Sequence, residues 1–251
     1  MELQVIGTGS SGNAYVLRAG GAHGQALLLD AGLPVMKIIK AVKGWRSVIG
    51  CLITHEHLDH AKSAEEIAKY GIRTYATQGT IDKIPRTGCL TQLNRAESLR
   101  SFTLGDFTVV AFDTEHDAAE PVGWLIRYEP TGETALYATD TYYLRNTFPG
   151  VNYWIVECNY TERILQEQRE DGDLAEELRE RLIKSHMSLR RLCDVLEAND
   201  LTETRAIVLV HLSDERSDEK AMVKTVKKVS GIDEVFAAQA GKTYDLRLTP
   251  F

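Results

Sequence analysis

The chain has 251 residues, of which 43% are hydrophobic and 26% charged, and carries a formal net charge of −7 at pH 7. That is enough apolar material for a sizeable core, in one domain or in two pseudo-symmetric halves, while no apolar run approaches the roughly 20 residues of a membrane span. The acidic balance argues against indiscriminate nucleic-acid binding, which leaves a basic footprint, but not against a site whose carboxylates are offset by bound cations. Cys51, Cys89, Cys158 and Cys193 are scattered without paired spacing, so free thiols in a reducing cytoplasm are expected. The opening Met1-Glu2-Leu3-Gln4-Val5 enters a strand directly, without the basic and apolar segments of an export signal.

Strand-like runs at Leu3–Gly7, Tyr15–Arg18 and Ala26–Asp30 are separated by glycine-rich turns, and a helical stretch follows near Val35–Val42. The apolar run Gly50-Cys51-Leu52-Ile53 feeds Thr54-His55-Glu56-His57-Leu58-Asp59-His60, then an alanine- and glutamate-rich helical stretch and a strand near Arg73–Ala76. Phe107–Phe112 alternates as a strand should, and Pro130-Thr131-Gly132-Glu133 reads as the turn joining Val122–Tyr128 to Thr134–Ala138. Ile155-Val156-Glu157-Cys158-Asn159-Tyr160 ends another strand on an acidic residue. Thr161 to Lys184 is the most polar stretch. Leu174, Leu178 and Leu182 recur there every fourth residue, which predicts amphipathic helix interrupted near Asp171-Gly172-Asp173. A second helix starts near Ser188, a good N-cap, and runs to Asn199, before the β-branched run Ala206–Val210. Strands early, then mixed with helices in both halves, indicate an α/β fold.

Imidazole and carboxylate hold zinc and similar divalent ions, and six of the seven histidines fall where a metal site would put them. His55 and His57, two apart in extended backbone, point the same way, while Asp59 and His60 enter the helix and can turn towards a second ion. His116 follows the strand ending at Phe112, Asp140 follows Thr134–Ala138, and His211 follows Ala206–Val210. Each lies just past an apolar strand, where an α/β sheet presents its binding edge. His23, in a glycine-rich turn, reads as solvated. Gly7-Thr8-Gly9-Ser10-Ser11-Gly12-Asn13 has backbone that could approach a phosphate, although a tight turn needs the same glycines. Arg190, Arg191 and Lys62, close behind His186 and His60, read first as solvated charge.

The His-x-His-x-Asp-His cluster resembles the signature of the metallo-β-lactamase superfamily, and His116, Asp140 and His211 follow in that superfamily's order. The resemblance implies a single domain over 1–251 with the four-layer αββα metallo-β-lactamase sandwich. Glu157 looks like the acidic motif of the β-CASP nucleases. Ser185-His186-Met187-Ser188 with His211 resembles motifs shared by those nucleases and the smaller YycJ (WalJ)-type proteins. Too few residues separate Glu157 from His186 for a β-CASP cap domain, so the YycJ-type branch is the better match. Ser185 and Tyr142 stand where glycine is usual in that branch, which bears on the rim of the site more than on its ligands.

Carried across residue by residue, the resemblance implies two divalent ions, zinc, manganese or iron. His55, His57 and His116 would hold one, Asp59, His60 and His211 the other, and Asp140 would bridge. Such a pair can present a shared hydroxide for in-line attack on phosphorus. Asp59 would orient it, His186 would give a proton to the leaving oxygen, and Glu157 would hydrogen-bond a ligand histidine or His186. The expected activity is that of a hydrolase, a phosphodiesterase acting on nucleic acid, DNA from the 5′ end, in the cytoplasm and away from membranes. The competing reading is a glyoxalase II-like hydrolase of a small thioester or lactone, which shares the ligands but needs no leaving-group histidine. β-Lactam hydrolysis and a non-enzymatic relic site rank behind both.

Overall fold

A computed structural model describes residues 1–21, 23–85, 93–173 and 175–246; Cys89 and Leu174 lie outside the described residues. In chain order the elements are β1 (Glu2–Gly7), β2 (Ala14–Arg18), β3 (Ala26–Leu29), α1 (Val35–Ala41), β4 (Val48–Leu52), α2 (Leu58–Ala61), α3 (Ala64–Lys69), β5 (Arg73–Ala76), α4 (Gln78–Lys83), β6 (Asn94–Arg95), β7 (Ser101–Leu104), β8 (Phe107–Asp113) and β9 (Val122–Tyr128). They continue as β10 (Glu133–Ala138), β11 (Tyr153–Glu157), α5 (Glu162–Glu170), α6 (Glu176–Ser185), α7 (Leu189–Glu197), β12 (Ala206–Val210), α8 (Glu219–Ser230), β13 (Val235–Ala237) and β14 (Thr243–Asp245). The chain forms two compact units, one of Met1–Asp113, Ala118–Thr134 and Gln239–Phe251, the other of Thr114–Asp117 and Ala135–Ala238.

The first unit carries a seven-stranded sheet in the order β14-β1-β2-β3-β4-β5-β6. β14, β1, β2 and β3 are antiparallel, and β3 to β6 run parallel. Every position of β2 and β3 is buried, which is why these runs read as continuously apolar instead of alternating. β7, β8 and β9 form an antiparallel meander. Phe107, Val109 and Ala111 alternate into the core there, as the period-2 pattern predicts. Gly12 shows why this unit needs its glycines. Its φ is +134°, and a Cβ there would lie 2.6 Å from the Gly32 carbonyl oxygen.

In the second unit β10, from Ala135 on, pairs in parallel with β11, β11 with β12, and β12 with β13. Parallel pairing puts the strands' C-terminal ends on one edge, so whatever follows Ala138, Val156 and Val210 shares that edge. The helices between these strands are well delimited. The side chains of Thr161, Ser188 and Asp218 accept from the backbone N–H of Ile164, Arg191 and Ala221, and Gly231 ends α8 in the left-handed region. The polar stretch from Thr161 breaks as its glycine predicts, with Gly172 at φ +78° between α5 and α6. The leucine stripe holds only in part. Leu182 packs on Tyr160 and Leu165, but Leu178 stays 42% exposed. No helix of the described residues is long and apolar enough to cross a membrane.

Candidate metal and catalytic site

In the first unit, β4 delivers the chain into Thr54 and His55, both buried, and α2 begins at Leu58, so Asp59 and His60 sit in its first turn. The His55 ring lies 4.7 Å from that of His57 and 4.3 Å from that of His60. A further residue joins them that no sequence motif marks, the aspartate closing β3. Asp30 is fully buried at φ +56°. Because β3 pairs in parallel with β4, its carboxylate meets the loop beyond β4. It accepts from the Thr54 N–H at 2.8 Å, from the Thr54 hydroxyl at 3.0 Å, and from His60 Nδ1 at 2.8 Å. With Nδ1–H given to Asp30, the His60 lone pair is on Nε2, the tautomer a metal requires. The same Nε2 lies 3.0 Å from the Asn13 side-chain amide, which also donates to the Gly9 carbonyl. The small-residue loop is thereby fastened to a candidate ligand, and its serines, Ser10 and Ser11, are exposed. His23 lies in an exposed turn, as its glycine-rich setting indicates.

In the second unit, Asp140, Glu157, His186 and His211 offer ligand atoms that all lie within 4.8 Å of one another. Glu157, fully buried at the end of β11, is the hub. One oxygen accepts from His186 Nδ1 at 2.6 Å and faces His211 Nδ1 at 3.2 Å. The other accepts from the backbone N–H of Thr141 at 3.0 Å and of Met187 at 3.1 Å. His211 Nδ1 is also 2.5 Å from Asp140, and His116 Nδ1 donates to the Ser185 carbonyl at 2.8 Å. Since Ser185 contributes through its backbone, its departure from glycine leaves this contact intact. Asn159, two positions past Glu157 and given no role by the sequence, ties the edge together. Its backbone N–H donates to Met187 O, its side-chain amide to His211 O at 2.9 Å, and its carbonyl accepts from Ser213.

These contacts set the proton affinities. Burial pulls the His186 pKa down, but the charge and hydrogen bond of Glu157, with Asp140 behind them, outweigh it and leave the imidazole above its ordinary value. Burial likewise acts against His211, yet Asp140 and Glu157 raise it to about 10. Burial pushes Glu157 up, and the two histidines more than reverse it, so its carboxyl lies below the usual range. For His116 burial wins over Asp140 and the pKa falls, which favours the neutral imidazole that binds metal.

The donor set fits divalent ions: imidazoles, two of which commit Nδ1 to a second partner (His60 to Asp30, His116 to the Ser185 carbonyl), and carboxylates at strand ends. An α/β chain with histidines and aspartates gathered at such edges is a metal-binding hydrolase in class. The chain belongs to the metallo-β-lactamase superfamily, since residues 26–212 match the family described as the beta-lactamase superfamily domain. It is 28% identical over 232 residues to exodeoxyribonuclease YycJ of Bacillus anthracis, covering 85% of this chain and 83% of that one. The metallo-β-lactamase fold protein YhfI of Bacillus subtilis superposes with a TM-score of 0.72 at 18% identity, over 97% and 98% of the two chains. The short form of human tRNase Z does so with a TM-score of 0.64 at 17% identity, over 99% and 100%. These likenesses show the fold expected from the sequence, the αββα sandwich.

Proposed function

We propose that residues 1–251 act as a single metallo-β-lactamase-fold domain, a cytoplasmic phosphodiesterase that degrades DNA from the 5′ end. His55, His57 and His116 would hold one divalent ion, Asp59, His60 and His211 a second, with Asp140 shared and zinc, manganese or iron as the candidates. Bound there, such ions supply Lewis acidity at the phosphate and make water a better nucleophile at neutral pH. Asp59 orients the attacking water. His186 donates from Nε2 to the departing oxygen, and Glu157 holds Nδ1 so that the proton-bearing ring keeps its orientation. Asp30 does the same for the ligand His60.

The observation that carries this reading is the His186–Glu157 pair at 2.6 Å. A phosphodiester has a poor alkoxide leaving group, and a histidine whose proton affinity is raised by a buried carboxylate answers that need. A thioester or lactone hydrolase of the glyoxalase II kind has no such need. The exodeoxyribonuclease activity of the Bacillus anthracis relative agrees with the nuclease reading, as do the free thiols Cys51, Cys158 and Cys193 with a reducing compartment.

The test compares leaving groups. His186→Ala should retain both metal equivalents and lose about two to four orders of magnitude of turnover on a DNA oligonucleotide. The loss should be much smaller on bis(p-nitrophenyl) phosphate, whose leaving group needs little protonation. Equal losses on both would make His186 a phosphate-positioning group. Brisk thioester hydrolysis with no phosphodiester cleavage under any ion would replace the nuclease reading altogether.

A further inference from the structure

Helix α8 carries Lys220, Lys224, Lys227 and Lys228, all exposed. At 100° per residue these four fall within one sector of about 100°, opposite the buried Met222 and Val226. They span roughly 12 Å of helix axis at 1.5 Å per residue. Among the described residues none of the four makes a side-chain hydrogen bond or ion pair. On α5 and α6, by contrast, Arg163 pairs with Glu167 at 2.7 Å, Arg179 with Glu176 at 2.7 Å, and Lys184 with Glu180 at 3.3 Å. Lys227 and Lys228, in the last turn, complement the helix dipole. That explanation does not extend to Lys220 and Lys224. In a chain of net charge −7, four uncommitted cations on one face concentrate positive potential where the rest of the molecule repels an anion.

We infer that this lysine face of α8 is a docking surface for the phosphate backbone of a nucleic-acid strand. The inference rests on the phosphodiesterase reading and adds to it where the strand is held. The helix begins eight positions after His211, and the intervening loop is pinned to the catalytic edge by the Ser213 N–H to Asn159 O hydrogen bond. Lys220 therefore lies at the end of α8 nearer that edge, and the lysines lead away from it. Lysine acts on phosphate as a point charge, so the surface is indifferent to base sequence.

The experiment is a salt titration with Lys220→Gln/Lys224→Gln/Lys228→Gln, which leaves Lys227 at the helix end. Labelled single-stranded and duplex DNA are titrated by fluorescence anisotropy, with chelator present to prevent cleavage, from 25 to 200 mM salt (on the order of the range where such contacts are resolved). The slope of log affinity against log salt should become shallower by about two to three for three lost phosphate contacts. In the metal-loaded protein KM for the same DNA should rise while kcat stays unchanged. The control is Lys37→Gln/Lys40→Gln/Lys43→Gln, the same charge change on and just after α1. An unchanged slope in the α8 variant, an equal change in the α1 variant, or binding of anionic lipid vesicles in place of nucleic acid would each overturn the inference. Its failure is distinct from failure of the catalytic reading: wild-type protein that cleaves DNA while the α8 variant binds as well removes only the docking face. Wild-type protein that binds DNA through these lysines yet cleaves no phosphodiester supports the face and removes the nuclease.

Discussion

Glu157→Gln keeps the size of the side chain and removes its charge, and it tests the His186–Glu157 pair more sharply than any truncation. The wild-type carboxylate accepts from four donors: two imidazole Nδ1 positions on one oxygen, and the N–H groups of Thr141 and Met187 on the other. A glutamine cannot do this in either orientation. Its NH2 must face either the two histidines or the two backbone N–H groups, so at least one buried donor loses its acceptor. That costs about 1–3 kcal/mol of stability. The chemical effect is larger. Losing an opposite charge at hydrogen-bond distance lowers a histidine pKa by about 1–3, and the burial that already opposes protonation is then uncompensated. The sign follows from the raised pKa of His186. The acid form works below that pKa and is lost as pH rises through it, so in the variant the alkaline limb of kcat moves down by about 1–3 pH units. Above the wild-type limb kcat should not recover. Between the two limbs it should fall about tenfold for each pH unit that separates them. The stability from this pair is present below the unfolded histidine pKa and fades as pH rises through the folded one, so the deficit of the variant should narrow in alkali. The assay is kcat against pH on a DNA oligonucleotide, with metal content measured on the same samples. An alkaline limb that stays in place with both metals bound would refute the assignment of His186 as the acid.

Asp30→Ala removes the carboxylate that fixes the His60 tautomer and strands the Thr54 N–H, so metal affinity should fall about 10–100-fold. Competition with a calibrated chelator reads this without any turnover, and unchanged affinity would leave Asp30 a purely structural residue. Gly12→Ala forces a Cβ to within 2.6 Å of the Gly32 carbonyl oxygen at φ +134°, a strain of about 1–3 kcal/mol or more. Thermal unfolding should show a clear loss of stability, and a neutral result would mean the loop can open without cost.

Much of this arrangement is legible in the amino-acid sequence, and for one reason. A parallel sheet shows itself as runs of apolar, β-branched residues, and the polar residues one or two positions past each run stand at the sheet's C-terminal edge. His55, Asp140, Glu157 and His211 all carry that mark. Asp30 closes Ala26–Leu29 in the same manner, but in sequence it reads as the last residue of its strand, and nothing local links it to His60. Its signal is the same as that of Asp140, an acidic residue ending an otherwise apolar run. Asn159 gives no such signal, because its work is done by backbone groups and an amide reaching His211 from a segment 52 positions away. β6, β7, β13 and β14 are two to four residues long, too short for a periodic pattern to emerge. α8 is silent for a different reason. It carries no histidine or strand-end carboxylate to mark a site, and its lysines stand out only once the helix gathers them on one face.

Backbone geometry separates the site from the rest of the chain more cleanly than residue type does. Among the described residues, four that are not glycine have positive φ: Asp30, Leu99, Asp140 and His211, between +51° and +59°. That region costs an L-residue roughly 1–2 kcal/mol, so it persists only where surrounding contacts over-determine it. Leu99 is 74% exposed in a loop, where one backbone bond from its N–H to Ala111 O holds the turn. The other three are at most 3% exposed, and each sits one or two positions past a parallel strand. Their strain is held by a different kind of contact. Asp30 is bound by Thr54 and His60, Asp140 by Thr139 and His211, and His211 by Glu157 and the Asn159 amide. The left-handed turn breaks the strand's alternation, so the side chain leaves the sheet's two faces and is presented at its edge. Strain together with burial, and not strain alone, is what sets these three strand-end positions apart from Leu99.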